Sequence, residues 1–125
     1  SSPGVVMISS ILSIPSRVSI IATPGLDGVY IGPADLALSL GLPAYGDQPQ
    51  PEHLEVVKQI LACCKKHGVA AGIHTSSLEY TQKYLALGFN LVTLGSESGH
   101  MMKNAATELA AARGKQTQER ESTGY

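Results

Sequence analysis

The residues best suited to chemistry are few. Asp35 follows Gly32-Pro33-Ala34 at the end of an apolar run, and a carboxylate past a buried strand and a Gly-Pro turn is poised to face a cleft. It suits a divalent cation through oxygen, or nearby N–H donors; it also suits a plain cap on a short helix over 36–40. The amides of Ala34 and Asp35 would point at an anion, as helix starts do. His74 closes another apolar run and reads either as a general acid/base or ligand, or as a strand-end histidine bonded to backbone. Ser9 and Ser10 follow the first apolar run, and Gly95-Ser96-Glu97-Ser98 the last. Glu97 either caps the final helix or lines the same cleft; Ser96 and Ser98 read as caps. His53, His67 and His100 fall on helical segments without HExxH spacing and read as solvated. Cys63 and Cys64 are neighbours, so a bridge between them would be strained. They form neither a disulfide framework nor a CxxC site and read as small apolar helix residues in a reducing compartment.

Alternating strands and helices must position these groups. Val5–Ile8, Gly28–Ile31, Val69–Ile73 and Phe89–Leu94 are short apolar runs with strand character. A weak helix is expected over Ser16–Ala22 and a short one over Ala34–Leu40, stopped by Gly41. Residues 42–51 carry three prolines and read as a loop. From Glu52 to His67, Leu54, Val57, Ile60, Leu61 and Cys64 recur at helical spacing, with Pro51 before them and Gly68 beyond. Ser76-Ser77-Leu78-Glu79 matches a capping box opening a helix to about Leu87, where Gly88 ends it. An Ala-rich helix over 98–113 would bury Met102, Ala105, Ala106, Leu109 and Ala112; the polar tail 114–125 is expected to be disordered. Strands apolar on both faces, alternating with helices, predict a parallel sheet with right-handed crossovers. Either a small open sheet or part of a (β/α)8 barrel fits, and both bind ligands at the carboxyl ends of their strands.

Composition narrows the function. The chain has 125 residues, is 43% hydrophobic and 15% charged, and carries a net charge of −1. The charge leaves no basic surplus for nucleic acid, and no apolar run reaches the length of a bilayer span. Ser1-Ser2-Pro3-Gly4 does not read as a signal peptide, and the absence of Met at position 1 fits residues upstream. No GxSxG, P-loop or GxGxxG occurs, which argues against serine-hydrolase and nucleotide-binding chemistry.

The stretch PGLDGVYIGPADL, residues 24–36, closely resembles the signature of the HpcH/HpaI aldolases. These are metal-dependent 2-oxo-acid aldolases, to which macrophomate synthase is similar. Residues 68–73 (GVAAGI) and 91–96 (LVTLGS) resemble the family's seventh and eighth strands, and the likeness runs from about Val5 to Arg113. The resemblance implies a (β/α)8 TIM barrel of which this chain covers the last four β/α units, with residues 1–113 as the C-terminal half. It implies a carbon–carbon lyase that cleaves a small 2-oxo acid reversibly to pyruvate and an aldehyde, with Mg, Mn or Co polarising the ketone. Asp35 matches one family metal ligand, and Gly32, Pro33, Ala34 and Asp35 would frame the substrate carboxylate. His74 and Glu97 are candidate pocket residues.

The departures matter. The family's second ligand, a glutamate, falls at Ser9, a poor donor for a hard cation, and the usual Gly-Ser-Asp of the eighth strand is Gly95-Ser96-Glu97. No residue matches the family's catalytic His and Arg, which lie in the first four strands. Since a barrel takes roughly 250 residues, the isolated chain is expected to be weakly active or inactive. The resemblance further implies a cytoplasmic homo-oligomer, a trimer or hexamer in which the last helix packs on a neighbour. A non-catalytic fragment or pseudoenzyme, acting as a binding or oligomerisation module, is the alternative; a small flavodoxin-like domain lacks the phosphate loop to support it.

Overall fold

The computed structural model describes residues 4–8 and 19–122. Four strands carry the first unit: β1 (Gly4–Ile8), β2 (Leu26–Ile31), β3 (Ala70–Thr75) and β4 (Leu91–Leu94). All pair parallel, in the sheet order β1-β2-β3-β4. Among the described residues, α1 (Pro33–Ser39) and α2 (Pro51–Lys66) lie between β2 and β3, and α3 (Leu78–Leu87) between β3 and β4. A doubly wound sheet reverses its order at a switch point. This sheet advances one strand at a time in one direction, as the wall of a β/α barrel does.

Strand alternation sorts the two faces. Val29, Ile31, Ala71 and Ile73 point to the helices and pack with Val57, Ile60, Leu61, Cys64 and Tyr84 in one core. Phe89 adds an edge-on contact to Tyr84, with ring centroids 5.6 Å apart. Cys64 is fully buried there, and burial pushes its thiol up to about 11, so it is an uncharged core residue. The expected helix face is therefore correct in Val57, Ile60, Leu61 and Cys64, with Leu54 half-buried. The other sheet face carries Gly28, Tyr30, Gly72, His74, Leu91 and Thr93; Leu91 is 57% exposed.

Local chemistry sets the helix ends. Pro51 opens α2 with its φ already helical. Gly88 ends α3 at φ 107, a conformation glycine adopts without the Cβ penalty. The N-cap of α3 is Ser77, whose hydroxyl accepts from the Tyr80 amide at 3.4 Å; the cap sits one residue later than the box read from Ser76. Ser76 is held elsewhere: its amide donates to the Asp47 carboxylate at 2.8 Å. That bond pins the loop after α1 to the carboxyl end of β3.

Residues 95–125 form a second unit, built on one helix, α4 (Glu97–Ser122). Ser96 starts it by accepting from the Gly99 amide at 3.1 Å. The helix expected to stop near Arg113 runs through Gly114 to Ser122. A mid-helix glycine costs only about 1 kcal/mol relative to alanine, too little to force a stop. The face expected to be buried is exposed: Met102 is 68% and Leu109 51% accessible. Apolar spacing records what a helix can bury, not whether a partner is present. Of the weak helix expected over 16–22, residues 19–21 are helical; Ser9, Ser10 and residues 16–18 lie outside the described residues.

Candidate active site

Two groups of residues stand at the carboxyl ends of the central strands. The first is the turn Gly32–Asp35. β2 ends at Ile31, Gly32 is extended at φ −90 and ψ 102, and Pro33 is the first residue of α1. Pro33 is buried, Gly32 and Ala34 are half-buried, and Asp35 is exposed in the first helical turn. The Asp35 carboxylate folds back over the turn: a Cβ on Gly32 would stand 3.3 Å from its Oδ2. Asp35 is not the N-cap of α1; Gly32 holds that position, without a side-chain cap bond. The carboxylate is thus left for other partners.

The second group lies on the bare sheet face. The Tyr30 hydroxyl and Thr93 Oγ1 are 2.6 Å apart, and His74 Nδ1 is 2.9 Å from the same Thr93 oxygen. Tyr30 reaches across a whole strand to do this, because its register partner on β3 is Gly72. A Cβ at Gly72 would come within 3.0 Å of the Tyr30 ring, so only glycine leaves the path open. Thr93 is the register partner of His74, which brings ring and hydroxyl together. His74 is therefore bonded to a side chain and not to backbone. Tyr30 and Thr93 escaped the sequence reading; only the register reveals them.

Thr75, the neighbour of His74, faces the core. Its hydroxyl donates to the Thr93 carbonyl at 3.0 Å and meets Thr81 Oγ1 at 2.6 Å, tying β3, β4 and α3 together. Glu97 is exposed in the first turn of α4, within the second unit. Ser9 lies outside the described residues. His67 and His100 are exposed, as expected, but His53 is not: it is completely buried. It sits in the first turn of α2, where its imidazole meets the Pro33 carbonyl at 3.0 Å.

As a metal centre this arrangement is incomplete. Among the described residues, no group of three His, Cys, Asp or Glu side chains converges, and the turn supplies one carboxylate. A hard cation takes several oxygen donors, so the described residues do not by themselves fit one.

A wall of sequential parallel strands, with a Gly-Pro-Ala-Asp turn at its carboxyl end, defines part of a β/α barrel. The chain belongs to the HpcH/HpaI aldolase/citrate lyase family, whose model matches residues 3–104. The 5-keto-4-deoxy-D-glucarate aldolase of Klebsiella pneumoniae is 36% identical over 107 residues, which are 86% of this chain and 41% of that protein. A solved HpcH/HpaI aldolase/citrate lyase family protein from Burkholderia cenocepacia superposes with a TM-score of 0.80 at 31% identity, over 87% of this chain and 42% of that one. Macrophomate synthase shares the fold, with a TM-score of 0.73 at 22% identity, over 91% of this chain and 39% of its own. The chain thus spans about two fifths of the length of the relatives it matches.

Proposed function

We propose that this chain is the substrate-binding arc of a carbon–carbon lyase, an aldolase that cleaves a 2-oxo acid reversibly to pyruvate and an aldehyde. The observation that carries the reading is the Gly32–Asp35 turn, which closes β2 with an exposed carboxylate that caps nothing. In this reading Asp35 is one ligand of a divalent cation such as Mg, Mn or Co, whose remaining donors lie outside the described residues. Gly32, Pro33 and Ala34 frame the oxo-acid carboxylate. The name of the Klebsiella relative points to a keto-deoxy sugar acid as the substrate class. His74 is proposed as a pocket residue, its ring fixed through Thr93.

Cleavage of such a substrate breaks the bond between C3 and C4. The electron pair stays with the three-carbon fragment as an enolate, and the C4 hydroxyl loses its proton as the aldehyde forms. The proton acceptor expected from the family, a histidine of the first four strands, has no counterpart here. We therefore expect the 125-residue chain alone to release little pyruvate. A coupled pyruvate assay with Mg or Mn and a 4-hydroxy-2-oxo acid tests this; robust turnover by the isolated chain overturns the incomplete-site reading.

A second reading, a non-catalytic binding or oligomerisation module, is favoured by the single carboxylate of the turn and by Ser9 at the expected glutamate position. The exposed Met101, Met102 and Leu109 of α4 suit a homo-oligomer contact in either case. Among the described residues no helix is long and apolar enough to cross a membrane; the cytoplasmic location is proposed from the family alone.

A further inference from the structure

His53 is the least expected side chain in the molecule. It is completely buried, yet belongs to a helix whose other apolar residues fill the core without it. Its Nε2 lies 3.0 Å from the Pro33 carbonyl oxygen. A carbonyl only accepts, so Nε2 carries the proton and Nδ1 is the bare acceptor. Among the described residues, Nδ1 is buried without a hydrogen-bond partner. Burial of the ring pushes its pKa below the ordinary 6.5, so the imidazole is neutral.

A buried acceptor left unpaired costs free energy. Leucine would fill similar space without that cost, so packing alone does not account for an imidazole here. What the imidazole adds is one directed bond to a single atom, the carbonyl of Pro33. Pro33 lies between Gly32 and Asp35, and has no N–H through which the turn could be anchored otherwise. Ser39, also on α1, bonds within its own helix, at the Leu36 carbonyl. The bond from His53 therefore joins the turn to α2, an element 20 residues away in sequence.

We infer that His53 is a positioning residue for the active-site turn: its Nε2–H fixes the Pro33 carbonyl and so sets where the Asp35 carboxylate points. Its relevance to the reaction rests on the proposed reading of Asp35; its effect on the turn does not. His53 touches no substrate and is not a catalytic residue.

The test is a pair of conservative substitutions in the full chain, read by amide hydrogen exchange. The Leu36 amide, bonded to the Gly32 carbonyl at 2.9 Å, reports on the turn; the Phe89 amide, bonded to the Tyr84 carbonyl at 3.2 Å, reports on the remote end of α3. Glutamine carries its amide nitrogen at about the reach of Nε2, whereas asparagine reaches only to Nδ1. In His53→Asn, Leu36 should exchange about tenfold faster while Phe89 is unchanged, the loss expected for one directed hydrogen bond. In His53→Gln, Leu36 should return to within about threefold of the unsubstituted chain. Equal protection of Leu36 in both variants, or acceleration of Leu36 and Phe89 together in His53→Gln, would make His53 a packing residue and overturn the proposal. The exchange needs no metal or substrate, so its failure is distinct from failure of the aldolase reading, which the pyruvate assay decides.

Discussion

Thr93 accepts or shares two hydrogen bonds at one oxygen, at 2.6 Å from Tyr30 and 2.9 Å from His74. Without that hydroxyl, the Tyr30 and His74 side chains lose their common partner on a face that is otherwise apolar. Thr93→Val keeps the shape and removes only the polar atom, so no cavity term is expected. Half-buried groups recover part of their loss from water, and the destabilisation should be about 1–2 kcal/mol. A lower urea midpoint at unchanged slope checks this; an unchanged midpoint would mean that the network contributes nothing to stability. The Gly-Pro-Ala-Asp turn was legible from residue types alone, because Pro33 ends a strand and Asp35 follows at once. The Tyr30–Thr93–His74 network was not, because it depends on which strand residues face one another. Tyr30 reads in sequence as one more apolar strand residue; only its pairing with Gly72 gives it a path to Thr93.

At the scale of elements, most of the β/α order follows from local chemistry. Gly68 and Gly88 end helices at positive φ, and Pro51 opens one, as their residue types foretell. The contact of α2 with the start of α1 was hidden, since a histidine in a first helical turn usually faces water. Burial of the His53 ring makes stability depend on pH, with the bond to the Pro33 carbonyl acting in the opposite direction. The folded His53 ring holds a proton less tightly than the unfolded chain does, because its pKa is lowered by burial from 6.5. The unfolded state therefore binds more protons below about pH 6.5, and stability falls as pH drops from there toward the lowered folded value. Above pH 6.5 the contribution is full. The slope is at most about 1.4 kcal/mol per pH unit for one group. Thermal melts of the unsubstituted chain and His53→Gln between pH 5 and 7.5 should differ in slope below about pH 6.5, the unsubstituted chain losing more stability, and run parallel above it. Parallel curves throughout would show that His53 is not the titrating group.

At the scale of the whole fold, the four parallel strands in sequential order form an arc that, among the described residues, leaves both edges unpaired. A barrel closes on itself and an arc does not. The inner face carries a concavity of about 300 Å³ lined by Val5, Gly28, Tyr30, Ala70, Gly72 and Leu91. That surface would be filled by the rest of a barrel, and the chain spans only 41% of its Klebsiella relative. The barrel class was legible in the sequence through the signature ending at Leu36. The bare face of α4 was not, because periodicity carries no information about who covers it.

The central claim is that Asp35 is a metal-binding carboxylate at the carboxyl end of β2. Paramagnetic Mn2+ titrated into the isotope-labelled full chain reads this directly, since even weak binding broadens the amides nearest the ion. The expected result is preferential broadening of Ala34, Asp35 and Leu36, abolished by Asp35→Ala. Broadening spread evenly over the acidic residues, or unchanged by that substitution, would contradict it.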